Sequence, residues 1–173
     1  MKNILIAVLA GFCLAGSAQT HDGGYPISPV PFTSVKVTDH FWGQRLKASR
    51  EVTIPLAFSK CEETGRYDNF YKASHPSAEY KVEGYPFDDT DVYKTIEGAS
   101  YSMQTYPDKK LDKYIDSVLT VVASAQEPDG YLYTARTMNP AHPHEWSGSS
   151  RWEKVEDLSH EFYNLGHMVE GAI

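Results

Sequence analysis

The stretch LSHEFYNLGHMVEGAI, residues 158–173, decides how this chain is read. At about 100° per residue, a helix here gathers Leu158, Phe162, Leu165, Val169 and Ala172 on one apolar stripe. His160, Asn164, His167 and Gly171 fall on the opposite side. The apolar stripe is the expected core face. A solvated helix face is ordinarily covered by Lys and Glu, whereas two imidazoles, a carboxamide and a glycine suit a neutral polar ligand and leave room for it. No Gly, Asn or Pro closes the helix at Ile173. The chain is therefore expected to be the front portion of a larger enzyme.

Working backwards from that helix, residues 137–151 read as a loop holding His142, His144 and Trp146. Tyr131 to Thr134 is short and extended, and Pro128-Asp129-Gly130 is a turn, in which Pro presets one dihedral and Gly accepts positive φ. A helix from Lys109 to about Gln126 buries Leu111, Ile115, Val118 and Val122. Another, from Thr90 to about Thr105, carries the stripe Val92, Ile96, Ala99 and Met103. Glu62 to Asp88 lacks sustained periodicity and reads as a long irregular loop, of the kind that is often functional. Asp39 caps a helix from Phe41 to about Lys60, which Pro55 should kink, and Val35 to Thr38 alternates as a short strand would. Helices joined by loops of alternating length make an all-α class: a helical barrel, toroid or bundle.

The first residues are a targeting segment. Met1-Lys2-Asn3 is a short positive region, Ile4 to Leu14 an apolar run, and Gly16-Ser17-Ala18 a small-residue cleavage site. The run is too short to cross a bilayer core of roughly 30 Å. Phe12 before Cys13 does not suit lipidation. Residues 1–18 are thus expected to be a signal peptide, 19–34 an extended Pro-rich leader and 35–173 a partial helical domain, exported to a periplasm or beyond. Cleavage leaves Cys61 as the lone thiol, so no internal disulfide forms and stability must come from core burial. It also leaves 15 basic against 23 acidic residues, a balance that argues against nucleic acid or an anionic membrane as partner. The 12 Tyr, 7 Phe and 3 Trp offer ring faces on which a sugar could pack, though such rings equally fill cores.

His160-Glu161 invites comparison with the zinc-protease helix, but position 164 is Asn, so the second histidine of that motif is missing. His160 and His167 stand two turns apart, about 10.5 Å, too far to share one ion with ligands near 2 Å. Both remain candidate substrate ligands, His160 at the mouth of any cavity and His167 deeper. Asn69 could hydrogen-bond a sugar hydroxyl with either amide atom or hold its own loop together. Asp88, Asp89 and Asp91 precede a helix, where capping and the macrodipole account for them without catalysis. Cys61 lacks a basic partner and reads as an inert buried thiol.

Five ordered segments, residues 41–42, 64–70, 87–97, 125–132 and 160–167, together resemble the N-terminal part of the beta-L-arabinofuranosidase family, glycoside hydrolase family 127 and its relatives. The resemblance covers roughly residues 34–173. It implies the N-terminal portion of a truncated (α/α)6 barrel and a carbohydrate substrate of the plant cell-wall arabinose or rare-sugar type. It also implies a retaining mechanism in which a zinc-held cysteine thiolate attacks and a glutamate protonates the leaving oxygen. Those catalytic residues and the zinc ligands come later in the family's chain, so none is expected here, and Cys61 does not match the nucleophile. His160 matches a histidine that binds the terminal sugar, and Asn69 matches an amide position near it. The rival readings are a carbohydrate-binding or helical scaffold protein without catalysis, and another helical-barrel sugar lyase or epimerase.

Overall fold

The computed structural model describes residues 27–173; the expected signal peptide and the first half of the leader lie outside them. Every regular element among the described residues is helical. The helices are α1 (His40–Ala48), α2 (Ile54–Glu63), α3 (Arg66–Ser74), α4 (Asp89–Thr105), α5 (Lys109–Ser124), the single turn α6 (Thr134–Thr137) and α7 (Glu161–Ala172), with short 3-10 turns at Phe32–Ser34 and Glu145–Ser147. None is long and apolar enough to cross a membrane.

Local chemistry sets the boundaries. The Asp39 carboxylate accepts from the Trp42 N–H at 2.7 Å and opens α1. Asp108 accepts from Lys110 and Leu111 N–H and opens α5. Pro55 lacks an N–H, and the chain absorbs the lost bond by widening to a π turn over Ser49–Thr53, after which α2 continues. Gly65, at φ +76°, ends that run and reverses the chain into α3.

The core joins α2 (Ile54, Phe58, Cys61), α3 (Phe70, Ala73), α4 (Val92, Tyr93, Ile96, Ala99) and α5 (Ile115, Val118, Val122). Helix α4 sits at the centre, against α2, α3, α5 and α7. Its first residue, Asp89, is buried and accepts from the Thr134 N–H at 2.9 Å and the Thr134 hydroxyl at 2.6 Å, tying α6 to the start of α4.

Three expectations are corrected. The loop foreseen over Glu62–Asp88 contains α3, which buries Asn69, Phe70 and Ala73; only two apolar residues mark its buried face, too few to show a period. Residues 35–38 carry no strand pairing. The faces of α7 are also reversed. Its packed seam is Glu161, Asn164, Met168 and Gly171, spaced i, i+3, i+7 and i+10 along α4. The described residues leave the expected core stripe largely uncovered, with Phe162 60% and Val169 48% exposed in a chain expected to be the front portion of a larger enzyme. The reason is close approach. A Cβ on Gly171 would stand 3.0 Å from the Tyr93 carbonyl oxygen, so the helices meet through the small side of α7. His160 and His167 consequently sit at the edge of the seam, half-buried.

Gly171→Ala is expected to destabilise the fold by about 1–3 kcal/mol, because the opposing atom is backbone and cannot step aside. Gly166→Ala, with nothing near its missing Cβ, should instead add about 0.5–1 kcal/mol through helix propensity; chemical denaturation of the pair measures both. Burial pushes the Asp89 carboxyl up to about 7 in spite of its two bonds to Thr134. Because this lies above the unfolded value of about 3.9, its contribution to stability is complete below about pH 4 and is lost as pH rises through about 7. Asp89→Asn can keep both Thr134 bonds and should flatten that decline when melting is followed between pH 4 and 8.

Candidate functional site

The loop between α3 and α4 is held from both ends. Asn69, buried on α3, donates from Nδ2 to the Glu83 carbonyl at 2.9 Å and accepts from the Glu83 N–H at 2.8 Å. Both amide atoms are therefore committed to the loop. Near the far end, Arg66 bridges Asp88 at 2.9 Å and Asp91 at 3.2 Å. Asp88 also accepts from the Tyr85 N–H at 2.8 Å and makes no capping bond to α4. Burial raises the Asp88 carboxyl although Arg66 and the Tyr85 N–H oppose the shift. The carboxylate cluster read as helix capping is thus a set of tertiary clamps.

These clamps present Tyr85 and Phe87, whose rings stack 5.2 Å apart with an interplanar angle of 3°. Trp146, from the loop before α7, extends the stack at 6.5 Å from Tyr85, and His144 meets Trp146 edge-on at 5.4 Å. In the other direction Phe87 lies 4.7 Å from the His160 ring, and Tyr163 connects His160 at 5.9 Å to His167 at 4.7 Å. Seven rings drawn from three segments form one continuous ribbon. Tyr85 and Tyr163 are exposed along it, as a surface for apolar sugar faces requires. Lys94 of α4 lies 4.5 Å over the Tyr163 ring and donates to the Tyr163 and Thr90 hydroxyls.

His160 stands at the middle of this ribbon in the left-handed conformation, φ +58°. A non-glycine residue held there costs of order 1–3 kcal/mol, which marks it as a position where function is to be sought. Its Nδ1 is 2.5 Å from the Leu158 carbonyl. A carbonyl only accepts, so Nδ1 carries the proton; in the uncharged tautomer Nε2 is then an acceptor. The next residue, Glu161, holds this geometry. It is buried, accepts from the Tyr131 hydroxyl at 2.5 Å, and takes the Trp152 N–H on both oxygens at 3.0 and 3.1 Å. Trp152 is itself left-handed at φ +66°. The sequence reading considered Glu161 only as part of a metal motif; its place in the first turn of a helix was the available signal.

His160 and His167 thus share the ribbon, while Asn69 reaches it only through the loop that it braces. Cys61 takes no part. It is buried in the core beside Thr95, and burial pushes its thiol up, as befits an inert cysteine.

Residues 34–173 match the family model described as beta-L-arabinofuranosidase, GH127 catalytic domain. A non-reducing end beta-L-arabinofuranosidase of Bifidobacterium longum subsp. longum is 28% identical over 158 residues, 81% of this chain and 23% of that protein. Among solved structures, a GH127 beta-arabinofuranosidase is 84% identical with a TM-score of 0.84, covering 86% of this chain and 24% of its own. A GH127 beta-L-arabinofuranosidase of Geobacillus stearothermophilus T6 is 31% identical with a TM-score of 0.69, covering 80% and 21%. The chain spans about a quarter of the length of these relatives.

Asn69→Ala is expected to cost about 1–3 kcal/mol, because it strands the Glu83 N–H and carbonyl. The loss should appear as faster proteolysis within residues 75–88 before any change in global helicity.

Proposed function

The chain belongs to the GH127 beta-L-arabinofuranosidase catalytic-domain family, and we propose that its ring-lined ribbon forms part of the sugar pocket of an exported glycoside hydrolase. The observation that supports this most directly is the contact of His160 Nδ1 with the Leu158 carbonyl, which in the uncharged tautomer turns Nε2 outward to accept a hydrogen bond from a sugar hydroxyl. Phe87 and Tyr163 flank that nitrogen with apolar surface. His167 stands one ring further along and is proposed as a secondary contact. Asn69 is proposed to serve the same sugar by bracing the loop that carries Tyr85 and Phe87. The substrate class proposed is a terminal beta-L-arabinofuranoside, the activity that the relatives' names carry, or a related rare sugar of the plant cell wall.

The bond-breaking groups are assigned elsewhere. A thiolate nucleophile held by zinc needs an ionised cysteine among metal ligands. Cys61, the cysteine of the described residues, is buried with its thiol raised. It does not fit that group, so the zinc and both catalytic residues are proposed to come from parts of the enzyme other than these residues. Within this chain the chemistry is recognition: His160 orients a hydroxyl, the rings pack the sugar face, and Glu161 keeps His160 in place.

In the enzyme of full family length, His160→Ala is expected to lower kcat/KM for an aryl beta-L-arabinofuranoside by about 10- to 100-fold, the worth of one hydrogen bond to the substrate at about 1.4–2.8 kcal/mol. The 173-residue chain alone should show no turnover. Wild-type kcat/KM in the His160 variant would remove the recognition role, and hydrolysis by the 173-residue chain would show that the catalytic groups had been misplaced.

A further inference from the structure

Two turns along α7 from His160, a second group of side chains converges across the α4–α7 seam. Glu97 of α4 and His167 and Glu170 of α7 each bring one ligand atom to within 4.8 Å of the others. His167 Nδ1 lies 3.3 Å from a Glu170 oxygen. That nitrogen is buried and has no hydrogen-bond partner. Tyr163 meets the ring at 90° and restrains its orientation. Two carboxylates therefore crowd one imidazole, while Lys94, one turn before Glu97, is engaged with Tyr163 and Thr90 instead. Among the described residues, no Lys or Arg pairs with either carboxylate.

We propose that Glu97, His167 and Glu170 bind a divalent transition-metal ion of the zinc class, which ties α7 to α4. Nitrogen and oxygen ligands about 2.0–2.2 Å from such an ion stand about 3.4 Å from one another in a tetrahedron. The His167–Glu170 edge already has that length, at 3.3 Å. The remaining edges close by rotation of glutamate side chains, of which Glu170 is 62% exposed and free to turn. An imidazole beside two carboxylates selects zinc, cobalt or nickel over magnesium or calcium, and three protein ligands leave a coordination position for water. His160 lies too far up the helix to join. This site has no thiolate, so it is separate from the zinc chemistry that the family resemblance implies, and it stands whether or not the ribbon binds sugar.

The test is titration of the chelator-treated chain with Co²⁺, followed by calorimetry and visible absorption. The site predicts one equivalent bound, a spectrum without a thiolate charge-transfer band, and a rise in melting temperature. Glu170→Gln and His167→Ala should each weaken binding at least tenfold. Loss of the Tyr163 contact could unsettle His167→Ala, but Glu170→Gln changes an exposed group of the same shape and leaves the fold intact. The proposal is overturned if wild-type protein binds no Co²⁺, if the bound ion shows a thiolate band pointing to cysteine, or if Glu170→Gln binds as wild type does.

Discussion

Gly171 has no side chain where the Tyr93 carbonyl passes, and the placing of α7 follows from that gap. A larger residue would push the helix off α4 or rotate it. With the gap filled by backbone, Glu161, Asn164 and Met168 turn inward along the same seam. His160 and His167 are carried to its rim, where one meets Phe87 and the other meets Glu170. The positions of His160 and His167 therefore depend on an approach that leaves no room for a Cβ at Gly171.

Around that seam, buried carboxylates do work that apolar side chains do elsewhere. Asp89 draws α6 onto the start of α4, Asp88 holds Arg66, and Glu161 gathers Tyr131 and Trp152. Each satisfies donors that would otherwise be stranded in a small core, at the cost of desolvating a charge. The elevated Asp89 carboxyl records that cost.

Much of the scaffold was legible in the residues. Helices α4 and α5 have long, regular stripes, and Asp39 caps α1 as its chemistry demands. Helix α3 escaped because nine residues hold only one full repeat, and its buried polar member, Asn69, reads as a loop residue. The faces of α7 were misread for a deeper reason. Hydrophobic periodicity points to the greasiest stripe, whereas the seam with α4 runs through Glu161, Asn164, Met168 and Gly171. The ribbon was only half visible: His160 and His167 stand in one motif, but Tyr85, Phe87 and Trp146 join them through contacts of 60 or more residues in sequence that no local pattern encodes. The family resemblance drew attention to His160 without revealing what surrounds it.

The bond from His160 to the Leu158 carbonyl settles more than a ring orientation. With the proton on Nδ1, the uncharged tautomer turns Nε2 outward as an acceptor, so that a partner there has to bring a hydrogen of its own. A methyl ether or a deoxygenated position would leave that lone pair facing nothing, and a carboxylate would repel it. On the proposed reading, selectivity at this edge is a test of free hydroxyls, set by one backbone oxygen two residues upstream.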